Sequence, residues 1–108
     1  MNHVYLFGRI GAEIRHEVTQ KGTSTAKFSL AVRRRKGKVI SWIQCIAYGK
    51  LADILRNEYG KGDQLLVKDG EIEVTQYSEG KAFWIVRVRL IERLGTQYQT
   101  TPIGEPDE

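Results

Sequence analysis

Alternation of apolar and polar residues along the chain predicts a protein built mainly of β-strands. Within residues 26–32 the even-numbered positions are apolar and the odd-numbered ones are mostly polar. That period of two is expected when one face of a strand is buried. Similar patterns predict five strands, over residues 4–10, 26–32, 39–48, 65–77 and 82–94.

One segment has the period of a helix instead. Leu51, Ile54, Leu55 and Tyr59 recur at helical spacing, so a helix is predicted over residues 51–59. Three strands, one helix and two strands form the order of the five-stranded Greek-key OB barrel, with the helix between strands 3 and 4. An SH3-like barrel would explain the strands but not a helix of this length at this position. We therefore predict an all-β OB-fold barrel with one helix.

Two features add detail to the predicted barrel. Gly70 interrupts the fourth strand, which indicates a β-bulge or a corner of the barrel. In the fifth strand, four apolar residues are in phase and are all expected to face the barrel core. These residues are Trp84, Val86, Val88 and Leu90.

Length and charge indicate one basic domain followed by a short acidic end. The 108 residues suffice for one domain, and we assign the barrel to residues 1–95. Residues 96–108 are polar, contain both prolines and lack periodicity, so a disordered tail is expected. The net charge is +4, but the tail carries −3 and the barrel therefore +7. This balance favours an anionic partner, although charge alone fits a generally basic domain equally well.

The sequence disfavours several classes of protein. The longest apolar run, residues 82–86, is far shorter than the ~20 residues of a membrane span. Without a secretory signal pattern, a cytoplasmic location is expected, with an organelle as the alternative. Cys45, His3 and His16 are too few for a disulfide or a typical zinc site. No nucleophile–base set and no Walker-type loop are found, so we expect neither enzymatic activity nor a cofactor.

A cluster of positive charge lies between the second and third strands, in residues 33–38, which we call the basic loop. Five of its six residues are cations: Arg33, Arg34, Arg35, Lys36 and Lys38. A basic hairpin tip suits a phosphate chain, since each neutralised phosphate releases a counterion. A solvated loop that only keeps the protein in solution is the alternative. The density and position of the charges favour nucleic-acid contact.

Aromatic residues provide a second candidate feature. Trp42 and Tyr48 are six residues apart and therefore share one face of the third strand. The intervening residues of the other face are small and apolar, which suits a barrel interior, so both rings are expected to point outward. Outward rings suit base stacking; packing under a loop or in a subunit interface is the alternative. Tyr77, beside the last predicted hairpin turn, either stacks on a base or caps that hairpin.

Five segments, taken in order, resemble the bacterial and organellar single-stranded DNA-binding protein family. They are NHVYLFGRIG at residues 2–11, the second strand at 22–32, WIQCIAYGKLA at 42–52, EYGKG at 58–62 and GEI at 70–72. The resemblance covers residues 1–95. It implies an OB-fold protein that coats single-stranded DNA without sequence preference during replication, recombination and repair.

The resemblance also implies roles for particular residues. Trp42, Tyr48 and Tyr77 fall where the family places its base-stacking aromatics. Lys50 and Lys61 fall on family lysines near the path of the nucleic acid. The family's tryptophan in the region of the basic loop is missing here, which implies that this loop relies on charge.

Assembly is implied as well. Family members usually form homotetramers through the outer sheet surface, where Tyr5 and Phe7 are expected in this chain. They usually end in an acidic tip with a terminal phenylalanine that recruits repair enzymes. This chain ends PIGEPDE, without that tip. Replication and repair proteins are therefore expected as partners only if the sequence is truncated and the tip follows.

Two other functions stay open at this level. A small OB barrel also serves as a protein-interaction module, for example of the primosome type, with Trp42 and Tyr48 buried against a partner chain. An OB domain that binds single-stranded RNA is the other alternative, because stacking and phosphate contacts tolerate either sugar.

Overall fold

The structure, a computed structural model, describes residues 1–36, 38–76, 80, 82–94 and 100–104. In these residues the chain forms seven strands and one helix. The elements are β1 (Val4–Ile10), β2 (Arg15–Val18), β3 (Ser24–Arg33), β4 (Ile40–Tyr48), α1 (Lys50–Glu58), β5 (Gln64–Gln76), β6 (Ala82–Leu94) and β7 (Thr100–Gly104).

Five of the strands close into a barrel. β1 pairs with β5, β5 with β6, β6 with β4, β4 with β3, and β3 returns to β1. The β4–β6 pair is parallel and the other four are antiparallel. β2 adds to β3, and β7 adds to β6. Because α1 lies between the third and fourth barrel strands, the predicted five-stranded barrel with its helix is confirmed.

The core consists of the inward faces of the barrel strands and one side of α1. The residues of this buried core are Ile10, Ala26, Phe28, Leu30, Cys45, Ala47, Leu51, Ala52, Leu55, Leu65, Val67, Val86, Val88 and Ile91. The even-numbered residues 26–30 are buried, as their alternation predicts. The helix packs against β3 and β4 through its buried residues 51, 52 and 55. Removing this apolar area from water is the main stabilising contribution to the fold.

Gly70 lies at an irregularity of the β5–β6 pairing. The register shifts on both sides of Asp69, so the predicted bulge is confirmed. A Cβ atom at position 70 would lie 2.9 Å from a methyl carbon of Val86, which is too close for any residue but glycine without movement. The shift also brings Ile91 fully into the core, whereas Leu90, predicted to face inward, is only half-buried.

The prediction that Trp84 faces the core is wrong. Its side chain is 51% exposed, and Val74, opposite it on β5, is 67% exposed. β5 and β6 run beyond the barrel here: among the described residues, the pairing of β6 with β4 goes no further in this direction than Val86. The alternation of apolar and polar residues along β6 continues beyond the part of the strand that belongs to the barrel. Alternation alone therefore does not show where the buried core ends.

Part of the predicted tail is a strand. Thr100–Gly104 forms β7, which pairs with residues 90–94 of β6, so the prediction of disorder is wrong for these five residues. β4 leaves this edge of β6 after Arg87, and an open edge offers backbone N–H and C=O groups that another strand can pair. The rest of residues 96–108 lies outside the described residues. The assignment of residues 1–95 to the binding domain stays a prediction.

Candidate nucleic-acid interface

The outer face of β4 carries the two predicted stacking residues of that strand. Trp42 is 58% exposed and Tyr48 is half-buried, whereas Cys45 and Ala47 between them belong to the buried core. Ile46, on the same face as Trp42, is buried as well but is not part of that core. The predicted register of this strand is therefore confirmed. At about 3.3 Å per residue the two rings lie ~20 Å apart along the strand, which spans several nucleotides of a stacked single strand.

The six-membered ring of Trp42 lies with one edge against Gly11. A Cβ atom added at position 11 would overlap Cζ3 of the ring and come within 3.1 Å of Cε3 and 3.3 Å of Cη2. The N–H of Gly11 donates to the carbonyl of Ser29 at 2.9 Å, which holds the backbone beside the ring. The indole can take this position because Gly11 has no side chain.

A row of outward residues crosses three strands next to this ring. Arg9 on β1 lies opposite Ala31 on β3, and Ala31 lies opposite Trp42. Nη1 of Arg9 donates to the carbonyl of Gly62 at 3.0 Å, in the turn that also carries the exposed Lys61. Arg9 and Lys61 therefore add two cations on the β1 side of Trp42. A groove continues from this row, lined by Phe7, Gly8, Arg9, Ala31, Arg33, Ile40 and Gln64.

The basic loop is the tip of the β3–β4 hairpin. Arg33 pairs with Ile40, and the N–H of Arg34 donates to the carbonyl of Val39 at 3.1 Å. Nε of Arg34 lies 3.4 Å from Oγ of Ser41, the residue before Trp42. Arg33, Arg34, Arg35, Lys36 and Lys38 are all exposed. Among the described residues no carboxylate forms an ion pair with these five, so their charge faces solvent beside Trp42.

Tyr48 lies at the other end of β4. The guanidinium of Arg87, on the parallel neighbour β6, lies over its ring with Cζ 4.5 Å from the ring centroid, the geometry of a cation–π contact. Lys50, exposed at the start of α1, follows two residues after Tyr48. Lys27, an exposed residue of β3, lies opposite Ile46 of β4. This end of the strand therefore combines one aromatic ring with three cations.

The predicted residues thus form two groups, one at each end of β4. Trp42, Lys61 and the basic loop lie at one end, and Tyr48 and Lys50 at the other. Tyr77 lies outside the described residues. Sequence reasoning missed Arg9 and Arg87, because each reaches the site through pairing between strands far apart in the chain. No sequence signal distinguishes these two arginines from other outward ones.

Other chemistry has little support in the described residues. No cluster of three or more His, Cys, Asp or Glu side chains that could hold a metal ion occurs in that part of the chain. None of its helices is long and apolar enough to cross a membrane. Burial raises the pKa of the Cys45 thiol from 9.0 to about 12, so this side chain is a neutral thiol and not a nucleophile near neutral pH.

Comparison with known proteins gives bacterial single-stranded DNA-binding proteins as relatives. The single-stranded DNA-binding protein of Fusobacterium nucleatum is 33% identical over 89 residues, which is 75% of this chain and 57% of that protein. Its counterpart from Clostridium perfringens is 39% identical over 80 residues, 71% of this chain and 52% of that protein. The chain spans about half the length of these curated relatives.

Solved structures share the fold. The wild-type single-stranded DNA binding protein from Thermus aquaticus superposes with a TM-score of 0.78 at 22% identity, over 90% of this chain and 52% of that one. A Plasmodium falciparum SSB complex with ssDNA gives a TM-score of 0.65 at 23% identity, over 82% and 84%. A family model described as the single-strand binding protein family matches residues 1–93. This match spans all but the last residue of the barrel strands, and the chain belongs to the single-strand binding protein family.

Proposed function

We propose that this protein binds single-stranded DNA without sequence preference, by stacking bases on exposed aromatic rings and neutralising phosphates with Lys and Arg. The observation that carries the proposal is Trp42, a large ring 58% exposed on the outside of a barrel strand and flanked by cations. Every base has a π-face, so such a ring accepts any base. The names and DNA complex of the relatives support the same function.

Each residue of the interface has a proposed role. Trp42 and Tyr48 stack bases at two points along one nucleic-acid path over β4. The cations of the basic loop and Lys61 contact phosphates near Trp42, and Lys50 does so near Tyr48. Tyr77 is proposed as a third stacking residue from the sequence alone. Phosphate contacts carry no base identity, and stacking tolerates all four bases, so the binding is independent of sequence.

The proposed role is protection and presentation of single strands, not catalysis. A chain that covers bases and phosphates together excludes nucleases and prevents base pairing, which serves replication, recombination and repair. The neutral Cys45 thiol gives no nucleophile for a reaction. We propose that the protein acts in the cytoplasm, where bacterial DNA is exposed as single strands.

We also propose that the protein assembles as a homotetramer. Tyr5 and Phe7, on the outer face of β1, are 64% and 47% exposed, and a second copy can cover these apolar rings. Sedimentation at micromolar concentration is expected to give the mass of four chains. A mass near that of a single 12.3 kDa chain would contradict this.

A protein-interaction module is the second candidate, and one observation favours it. Trp84 and Val74 lie opposite each other and are both more than half exposed, and a partner protein would cover them. Nucleic-acid titration separates the candidates, since only the DNA-binding function predicts quenching of tryptophan on addition of a bare oligonucleotide. Comparing poly-dT with poly-U then tells DNA from RNA preference.

The decisive experiment is a fluorescence titration with oligo-dT. Two tryptophans contribute to emission, so we use Trp84→Phe as the background, in which Trp42 alone reports. The proposal predicts strong quenching on binding and weaker binding after Tyr48→Ala. Ile72→Ala, a change of an exposed apolar residue on β5 outside the proposed interface, is the matched control. Quenching that is absent for oligo-dT of any length would contradict the proposal.

A further inference from the structure

The side chain of Arg87 is held on the barrel surface by an aromatic ring and only weakly by a carboxylate. Its guanidinium lies over the ring of Tyr48, and its side chain is 29% exposed. Nη1 is 3.7 Å from Oε2 of Glu73, which is too long for a hydrogen bond. Nε is buried and has no hydrogen-bond partner within the described part of the chain. The guanidinium is therefore held over the ring, and its long contact with Glu73 leaves its terminal donors available to a ligand.

Arg89 provides the contrast on the same strand. It lies two residues further along β6 and on the same outward face. Nε and Nη2 of Arg89 both donate to Oε1 of Glu71, Nε at 3.1 Å. Its donors are thus used inside the protein, which is the arrangement of a structural ion pair. Arg87, by comparison, is oriented by stacking and only loosely paired.

We propose that Arg87 and Tyr48 form one composite binding surface for a nucleotide of single-stranded DNA. The base stacks on the face of the Tyr48 ring that Arg87 does not cover, beside the groove that Tyr48 lines with Lys27. A terminal nitrogen of Arg87 donates to a phosphate oxygen of the same nucleotide. This inference rests on the proposed function. A planar guanidinium can stack on a ring and bind a phosphate at the same time, which the compact ammonium of lysine cannot do. The long ion pair with Glu73 is exchanged for the shorter contact with phosphate.

The test compares arginine and lysine at two positions of β6. Arg87→Lys keeps the charge but loses the planar stack, so affinity for oligo-dT is expected to fall about tenfold with an unchanged salt dependence. Arg87→Ala removes the phosphate contact as well, and the log–log salt slope becomes flatter by ~0.7. Arg89→Lys is the matched control, and its affinity is expected to stay within about twofold of the unmodified protein.

A double variant tests whether the two residues act together. In a Tyr48→Ala background, Arg87→Lys is expected to change affinity by less than about twofold, because the stacking partner is gone. All affinities are measured below the melting temperature of each variant, so loss of folding does not imitate loss of binding. A purely structural Arg87 would lower the melting temperature and leave the salt slope unchanged.

The outcomes separate this inference from the proposed function. If Arg87→Lys binds as tightly as the unmodified protein while Trp42→Ala binds weakly, the composite surface is refuted and the proposed function stands. An equal tenfold loss in the Tyr48→Ala background also refutes it, since Arg87 would then act alone. If the unmodified protein does not bind oligo-dT, the proposed function itself fails.

Discussion

Replacement of Gly11 by alanine is expected to weaken DNA binding through Trp42. The new Cβ atom would overlap Cζ3 of the indole and crowd the two adjoining ring atoms at 3.1 and 3.3 Å. Trp42 is 58% exposed, so its ring can turn away toward solvent without repacking the core. The ring then no longer lies where a base would stack, and one stacked base is worth ~1–3 kcal/mol. We therefore expect affinity for oligo-dT to fall ~5- to 150-fold.

Stacking releases no counterions, so the salt dependence of the Gly11→Ala variant is expected to match that of the unmodified protein. The assay is titration with oligo-dT in the Trp84→Phe background, together with the emission maximum of Trp42, which reports the altered ring environment. Gly60→Ala is the matched control, because a Cβ atom at Gly60 meets no atom within 4 Å and its φ is not positive.

A double variant with Trp42→Ala decides whether Gly11 acts through the ring. Once the ring is removed, Gly11→Ala is expected to have no further effect on affinity. Two results would refute the reasoning. One is normal affinity and unchanged emission for Gly11→Ala alone. The other is an equal loss in the absence of Trp42, which would mean that the substitution distorts the barrel.

Three further predictions concern stability. Trp42→Ala is expected to lower the free energy of unfolding by less than ~1 kcal/mol, because the ring is outside the core; a loss of ~3–5 kcal/mol in urea denaturation would show a core residue. Gly70→Ala is expected to cost ~1–3 kcal/mol, because the Cβ atom would crowd Val86 at 2.9 Å, and unchanged stability would contradict the close approach. Burial raises the pKa of Cys45 from 9.0 to about 12, so a thiol reagent at pH 8 is expected to label only unfolded protein. Rapid labelling of the native protein would contradict the burial. Because the pKa of Cys45 is higher in the folded state, the stabilisation from burying its neutral thiol is complete below pH 9.0 and is lost as the pH rises toward 12.

Most of the barrel was predictable because its signals are local. A period of two marks the buried face of β3, and a period of 3.6 marks α1, with no information from elsewhere in the chain. Trp84 shows where this reasoning fails. Its phase along β6 is that of the core residues, but only the pairing with β4 determines how far the barrel covers that strand.

The candidate site divides in the same way. The outward direction of Trp42 followed from the alternation of side chains along β4. The positive charge of the basic loop is evident from the sequence. The neighbours of these residues were not predictable. Arg9 reaches Trp42 through the β1–β3 pairing, and Arg87 reaches Tyr48 through the parallel β4–β6 pairing. Both pairings join segments more than 20 residues apart in the chain. Local sequence patterns do not show which distant segments pair, so these contacts could not be predicted.

The affinity for oligo-dT as a function of salt concentration tests most directly whether stacking and charge act separately on this surface. Trp42→Ala is expected to give a line of unchanged slope at lower affinity, ~1–3 kcal/mol weaker. Replacing Arg33, Arg34 and Arg35 together by alanine is expected to flatten the slope by up to ~0.7 for each phosphate contact removed. A slope near zero for the unmodified protein, or a slope that changes with Trp42→Ala and not with the arginine variant, would contradict the proposed interface.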